Sequence, residues 1–132
     1  MTWEHARELQ AANVEIGAHT YSHPLLARIP FDEARWEMER SLSDLREEIG
    51  SENPPFCFPA GSYNEELLDL VRSTGFCSSF VPNQAVRLNT PDSVTQYTMT
   101  RRGLPEAPAL YLEAEIEGPF NAIRGALGRY KR

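Results

Sequence analysis

The longest regular pattern of apolar positions predicts an α-helix between Phe31 and Gly50. Apolar residues recur there every three or four positions, which places them on one face of a helix with 3.6 residues per turn. They are Phe31, Ala34, Met38, Leu42, Leu45 and Ile49. Charged residues fill the opposite face, where Glu33 and Glu37 are spaced to repel each other. Gly50 is suited to end the helix.

Two shorter helices and three strands are predicted around this helix. Thr2 is a candidate N-cap for an amphipathic helix that ends near residue 12, with Asn13 left-handed. Asn64 is a candidate cap for a third helix, which ends at Gly75. Short apolar runs between the helices predict buried strands. These strands cover residues 14–17, 56–58 and 76–81.

The alternation of helices and strands over residues 2–81 predicts parallel strands covered by helices, as an α/β layer or barrel. The 132 residues fit a single domain. Beyond Pro82 the pattern weakens: residues 96–102 alternate as in a strand, and residues 109–116 and 120–127 have helical spacing. This second part, residues 82–132, is predicted to add a strand and two helices to the same domain.

Charge argues against a nucleic-acid partner. Residues 1–75 hold 6 basic and 14 acidic residues, a net charge of -8, and residues 76–132 hold 7 and 5, a net of +2. Binding to phosphates needs a basic surface, so the acidic part would repel nucleic acid. The basic residues at the C-terminal end are predicted to form a solvated tail.

The chain carries no recognisable targeting or membrane segment. No apolar run approaches the roughly 18 residues that a transmembrane helix needs. The start, MTWEHAREL, has no apolar core of a secretory signal; the chain as written is that of a cytoplasmic protein, but its sequence does not distinguish a cytoplasmic from an exported protein. Cys57 and Cys77 lie in apolar surroundings and are predicted to be small buried thiols, with a disulfide as the alternative.

Two of the three histidines, His19 and His23, lie within five residues directly after a predicted strand. Loops at the carboxyl ends of parallel strands are where α/β folds place their sites. Imidazoles at this spacing can converge on one divalent ion, and they suit Zn, Ni, Co or Fe. The alternative is a pair of hydrogen-bonded histidines in a turn. The third histidine, His5, is predicted to lie on the surface.

A second candidate segment, Phe58–Asn64 in the sequence FPAGSYN, also follows a strand and opens a helix. Gly61 allows close approach of the backbone, and N–H groups here can point at a developing oxyanion. The alternative is a plain turn between strand and helix. Tyr63 either packs or forms a wall for a sugar ring. Trp3 and Trp36 are predicted to anchor helices as core or partial-core residues rather than to stack on sugars.

The two segments together resemble the polysaccharide deacetylase (NodB-homology, carbohydrate esterase 4) family. The run TWEHARELQAANVEIGAHTYSHPLL is similar to the family's second conserved stretch, in which W-x-x-x-R-x-L leads to E-I-G-x-H-[ST]-x-x-H-P. Glu39, Ser41 and Leu45 match the E-x-S-x-x-x-L that follows. FPAGSYNEELLDLVRSTGF is similar to the third stretch. The resemblance covers about residues 2–81.

The resemblance implies a metal-dependent hydrolase of C–N (non-peptide) bonds that removes N- or O-acetyl groups from a polysaccharide or oligosaccharide. It implies a partial (β/α) barrel that lacks the family's N-terminal strand or strands. His19 and His23 match the two metal-binding histidines, with zinc as the expected metal. Thr20 matches the hydroxyl residue that braces their loop.

The same resemblance assigns the second segment to substrate binding. Pro59, Gly61 and Tyr63 match the groove that holds the glycan, and the backbone N–H of Ala60 takes the oxyanion position.

Parts of the family pattern are missing. Its first stretch, T-F-D-D-G, supplies the base and the third metal ligand and is expected upstream of Thr2, yet the chain contains no Asp-Asp pair. No histidine follows His23 to act as general acid. Cys57 stands where many members have an arginine. We therefore expect the isolated chain to be inactive. The alternatives are a non-catalytic relative that binds carbohydrate or protein, and an unrelated α/β interaction module.

The absent first strand also predicts association. Residues 14–17 would form an open sheet edge beside the apolar helix face of Trp3, Ala6 and Leu9, and such edges pair with other chains. We expect a homodimer through this edge, unless residues 97–127 fold back and cover it.

Overall fold

The computed structural model describes residues 1–82 and 95–101. Its helices are α1 (Trp3–Ala11), α2 (Phe31–Ile49) and α3 (Glu65–Thr74), and its strands are β1 (Phe56–Cys57), β2 (Ser79–Pro82) and β3 (Met99–Arg101). Short 3₁₀ turns cover Leu26–Arg28 and Pro59–Gly61. None of the helices in this part of the chain has the length and hydropathy needed to cross a bilayer.

Each helix begins and ends at residues suited to that position. The Thr2 hydroxyl accepts a hydrogen bond from the His5 N–H at 3.3 Å, and the Asn64 side chain accepts one from the Leu67 N–H at 2.9 Å. These caps satisfy backbone donors that the first turn of a helix leaves without partners. Gly50 ends α2 with φ of 66°, a left-handed conformation that glycine adopts without steric cost. The bounds of α2 are those that the apolar spacing predicts.

The three strands form a parallel sheet in the order β1-β2-β3. An isolated parallel bridge between Ala18 and Phe56 extends the pairing on the β1 side. Because all the pairings are parallel, the segments that follow Ala18, β1 and β2 leave the sheet at the same edge. The predicted α/β fold with parallel strands alternating with helices is confirmed.

Two strand predictions need correction. Residues 14–17 form no strand: the N–H of Val14 donates to the carbonyl of Leu9 at 3.0 Å and so closes α1, and only Ala18 pairs with the sheet. The strand predicted over residues 76–81 begins later, at Ser79. Phe76 is buried and turns into the core instead of entering the ladder.

The hydrophobic core lies between the sheet and the inner faces of α2 and α3, where the apolar residues of both helices are buried. Trp3 and Trp36 lie outside it, with 40% and 51% of their surface exposed, so neither is a fully buried core residue. Cys57 and Cys77 are half-buried and form no disulfide. The helices predicted at 109–116 and 120–127 lie outside the described residues.

Candidate metal and substrate site

The two histidines of the HTYSH segment lie side by side in the structure. The segment follows the Ala18 bridge directly, at the edge where the parallel strands end. The ring centroids of His19 and His23 are 4.8 Å apart, and their planes are inclined at 72°. His19 is half-buried and His23 is exposed. Two imidazole rings at this separation are in contact with each other.

The His19 ring is oriented by the neighbouring strand. Its Nδ1 lies 2.6 Å from the carbonyl oxygen of Cys57, the last residue of β1. Because a carbonyl oxygen only accepts, Nδ1 must carry the proton and donate it. The lone pair then lies on Nε2, on the far side of the ring. Metal-binding histidines usually donate their second nitrogen to a carbonyl or a carboxylate in this way.

The backbone between the histidines is strained. Thr20 and His23 have φ of 64° and 65°, a left-handed conformation that costs a residue with a side chain about 1 kcal/mol or more. The His23 N–H donates to the Thr20 hydroxyl at 3.0 Å, which closes the loop on itself. Thr20 thus stands at the position that the resemblance gives to the bracing hydroxyl.

A carboxylate on α2, predicted to lie on the charged face of that helix, anchors this loop. Glu37 of α2 is buried, and one of its oxygens, Oε2, accepts the N–H groups of Tyr21 at 2.8 Å and Ser22 at 2.7 Å. Its Oε1 accepts the hydroxyl of Ser22. The helical spacing could have indicated that Glu37 is buried, because Glu37 is three residues from Ala34 and four from Ser41, which are both on the buried face.

The second candidate segment forms a 3₁₀ turn at the end of β1. Ala60 is exposed, and it has a φ of 50°. The hydrogen bonds of the turn begin at the next residue, where the N–H of Gly61 donates to the Phe58 carbonyl at 3.1 Å. Pro59 is fully buried, so its ring supports the turn and does not line a groove.

A hydrogen bond joins the turn to the chain that follows the histidine loop, and Tyr63 packs on the turn itself. The Ser62 hydroxyl accepts the N–H of Ala27 at 3.1 Å, which ties the turn to the chain beyond the histidines. Tyr63 rests on the buried ring of Phe58, with centroids 5.6 Å apart, and keeps 38% of its surface exposed. Tyr63 therefore packs on one face and is available to a ligand on the other.

The donors at the histidine loop suit a divalent cation, since His19 is held in one tautomer by a backbone carbonyl. Over residues 1–82 and 95–101, however, no group of three or more histidine, cysteine, aspartate or glutamate side chains is placed to hold a metal ion. The described residues thus bring together two imidazoles, fewer than the three or four ligands that zinc normally takes in proteins.

A cavity of about 580 Å³ opens beside the histidine loop, between α1, residues 16–21 and α2. His19 and Thr20 form part of its wall. Its apolar lining comes from α1 and α2, and includes Trp3, Ala6 and Leu45.

The described residues therefore form a parallel α/β fold with a pair of histidines where the strands end. The family model "Polysaccharide deacetylase" matches residues 1–78, which is more than half of the chain. The chain belongs to this family, as the resemblance predicted. No curated protein matches it.

Solved structures agree on the fold. The chain is similar to the deacetylase PplD of Streptococcus pyogenes, solved in complex with acetate, with a TM-score of 0.73 and 21% identity over 86% of this chain and 50% of that one. A de-N-acetylase from Aggregatibacter actinomycetemcomitans gives 0.63 and 17%, with 86% and 52% covered. BC0361, a polysaccharide deacetylase from Bacillus cereus, gives 0.67 and 17%, with 88% and 36% covered. The chain thus spans about half the length of the first two of these chains and 36% of the third.

The turn at Gly61 allows a sharp test of its geometry. A Cβ at Gly61 would lie 2.6 Å from the carbonyl oxygen of Pro82, and the residue has φ of 67°. We expect Gly61→Ala to lower the free energy of unfolding by about 2 kcal/mol or more, because both the left-handed backbone and the overlap with β2 cost energy. Urea denaturation followed by circular dichroism measures this loss.

Gly50→Ala is the matched control, because Gly50 has φ of 66° and nothing within 4 Å of an added Cβ. It should cost only the conformational part, about 1 kcal/mol. Equal losses in the two variants would contradict the close approach of the turn to β2.

Proposed function

We propose that this chain contributes the histidine half of a zinc site to a deacetylase that removes acetyl groups from a polysaccharide or oligosaccharide. The observation that carries the proposal is the pair of imidazoles 4.8 Å apart, with Nδ1 of His19 committed to the Cys57 carbonyl. This arrangement leaves Nε2 as the His19 nitrogen that would ligate a cation, and the ring of His23 lies close enough to supply a second ligand.

The chemistry follows from the elements on both sides of the pair. A bound zinc ion would polarise the acetyl carbonyl and favour the ionisation of a water molecule. The N–H of Ala60, ahead of the first hydrogen bonds of its turn, would donate to the oxygen that gains charge during the reaction. Gly61 allows the backbone to approach the substrate, and the exposed face of Tyr63 would form a wall for a sugar ring.

The class of substrate is supported by the family. Its members are polysaccharide deacetylases, and two of the similar structures are described as a de-N-acetylase and as a deacetylase with bound acetate. An acetylated glycan is therefore the ligand that we assign to the site.

A second candidate function is glycan binding without catalysis. It is favoured by the absence of a third metal-ligating side chain near the histidines within the described part of the chain, and by the absence of an Asp-Asp pair from the sequence.

Zinc binding tests the metal site directly. We expect the purified chain to bind ZnCl₂ weakly in isothermal titration calorimetry, because only two side chains hold the ion. His19→Ala and His23→Ala should each weaken the binding by about tenfold or more. His5→Ala is the control, because His5 is an exposed histidine on α1 and is not part of the histidine loop. Unchanged binding in His19→Ala would contradict the assignment.

Catalysis by the isolated chain is tested by acetate release from N-acetylated chitin oligomers. We expect none above background in the presence of zinc, because no carboxylate in the chain matches the base of the family, and a general base typically contributes about 10²–10⁴-fold. Acetate release that collapses in His19→Ala would overturn this expectation. Glycan binding without release, detected as NMR shifts of the Ala60 and Gly61 amides, would favour the second candidate function.

Association through the sheet edge beside Ala18 is a further part of the proposal. Two apolar residues close to this edge in the chain are exposed, Val14 to 44% and Leu9 to 39%. We expect sedimentation to give twice the chain mass of 14.9 kDa, and Val14→Lys to shift it to the monomer, because a buried charge at the contact is costly. Trp36→Lys, a similar change at an exposed site on α2, should remain dimeric. A wild-type monomer across micromolar concentrations would refute the dimer.

A further inference from the structure

We infer that Glu37 is a positioning residue of the metal site: its carboxylate holds the loop between the two histidines in the shape that brings their rings together. The inference rests on the proposed function, since it concerns the same site. Glu37 does not contact either ring, and it acts through the backbone of Tyr21 and Ser22.

The placement of Glu37 is unusual for an acidic residue. It lies on α2 with 3% of its surface exposed, among buried residues such as Ala34 and Met38. The four ion pairs between described residues do not include it. Buried acidic side chains are rare unless they are paired or hydrogen-bonded, because burial removes the hydration of the charge. The partners of this carboxylate are therefore the groups that explain its position.

Those partners all belong to the segment between the ligands. Both backbone N–H groups reach the same oxygen, Oε2, from Tyr21 at 2.8 Å and from Ser22 at 2.7 Å. The hydroxyl of Ser22 donates to the other oxygen. Two successive N–H groups that converge on one atom define a tight turn, and a carboxylate is a stronger acceptor for them than a neutral oxygen.

The turn needs an external anchor because its own backbone is unfavourable. Thr20 and His23 flank the anchored residues, and both are left-handed. Within the loop, the hydrogen bond from His23 N–H to the Thr20 hydroxyl is the internal closure. Without Glu37, the left-handed residues can relax to extended conformations, and the rings of His19 and His23 then separate. The anchor on α2 thus couples a helix outside the sheet to the geometry of the two ligands.

Glu37→Gln tests the inference, since glutamine has the same size but replaces one acceptor oxygen with a donor. With ZnCl₂ as the probe, we expect calorimetry to show an affinity about tenfold or more below that of the wild type. Glu39→Gln is the matched control, because Glu39 is exposed on the same helix. It should bind zinc as the wild type does. Equal affinities in the two variants would overturn the inference.

A second measurement needs no metal. Hydrogen exchange by NMR on the 132-residue chain should show slow exchange of the Tyr21 and Ser22 amides in the wild type and fast exchange in Glu37→Gln, with core amides of α2 unchanged. Equal protection of the two loop amides in wild type and variant would overturn the positioning role. Faster exchange throughout the chain would also overturn it, because that is the effect of a residue that only stabilises the fold.

Ser22→Ala serves if Glu37→Gln does not fold, because it removes the hydroxyl bond to Oε1 and leaves α2 intact. It should accelerate exchange at the same two amides to a smaller extent, and unchanged exchange there would overturn the inference.

The metal-site proposal and the Glu37 inference can fail separately. If the wild type shows no zinc binding that depends on His19, the proposed metal site is wrong, and amide exchange then decides alone whether Glu37 shapes the loop.

Discussion

The parallel pairing of Ala18 with β1 is the interaction on which the candidate site depends. The Ala18 N–H donates to the Pro55 carbonyl at 2.8 Å, and the Cys57 N–H donates to the Ala18 carbonyl at 2.9 Å. These two bonds align the residue before His19 with the strand before the Pro59–Gly61 turn. A parallel alignment sends both segments off the sheet at the same edge, which brings histidines and turn together. An antiparallel pairing would place them at opposite edges.

The loop geometry is held by groups that add little to stability. Burying the Glu37 carboxylate costs several kcal/mol in lost hydration, and three hydrogen bonds to a charged acceptor recover an amount of the same order. The net contribution to the free energy of unfolding is thus small. What the carboxylate supplies is one preferred conformation for a segment with two left-handed residues. The core, in contrast, is apolar and accounts for the stability of the fold.

Local pattern was enough to predict α1, α2 and α3 and to single out the two candidate segments. The bounds of α2 follow from its apolar period and from Gly50, and Thr2 and Asn64 cap helices as their side chains favour. The strand over residues 14–17 was wrong because a strand needs a partner, and an apolar run does not reveal whether neighbours exist. The burial of Glu37 was missed because the periodic pattern considers only apolar residues. This acidic residue is buried and accepts hydrogen bonds from a loop fifteen residues away.

The bond from His19 to the Cys57 carbonyl lies beyond any local pattern, since it spans 38 residues. Because of this bond, the geometry of the histidine pair depends on two different parts of the fold. The ring of His19 is oriented by β1, and the loop backbone is shaped by α2. The Pro59–Gly61 turn, in contrast, depends on the contact of Gly61 with the end of β2. A substitution on α2 can therefore change the histidine loop without touching the turn. Under the proposed function, affinity for metal and recognition of the glycan would then vary independently within one small sheet.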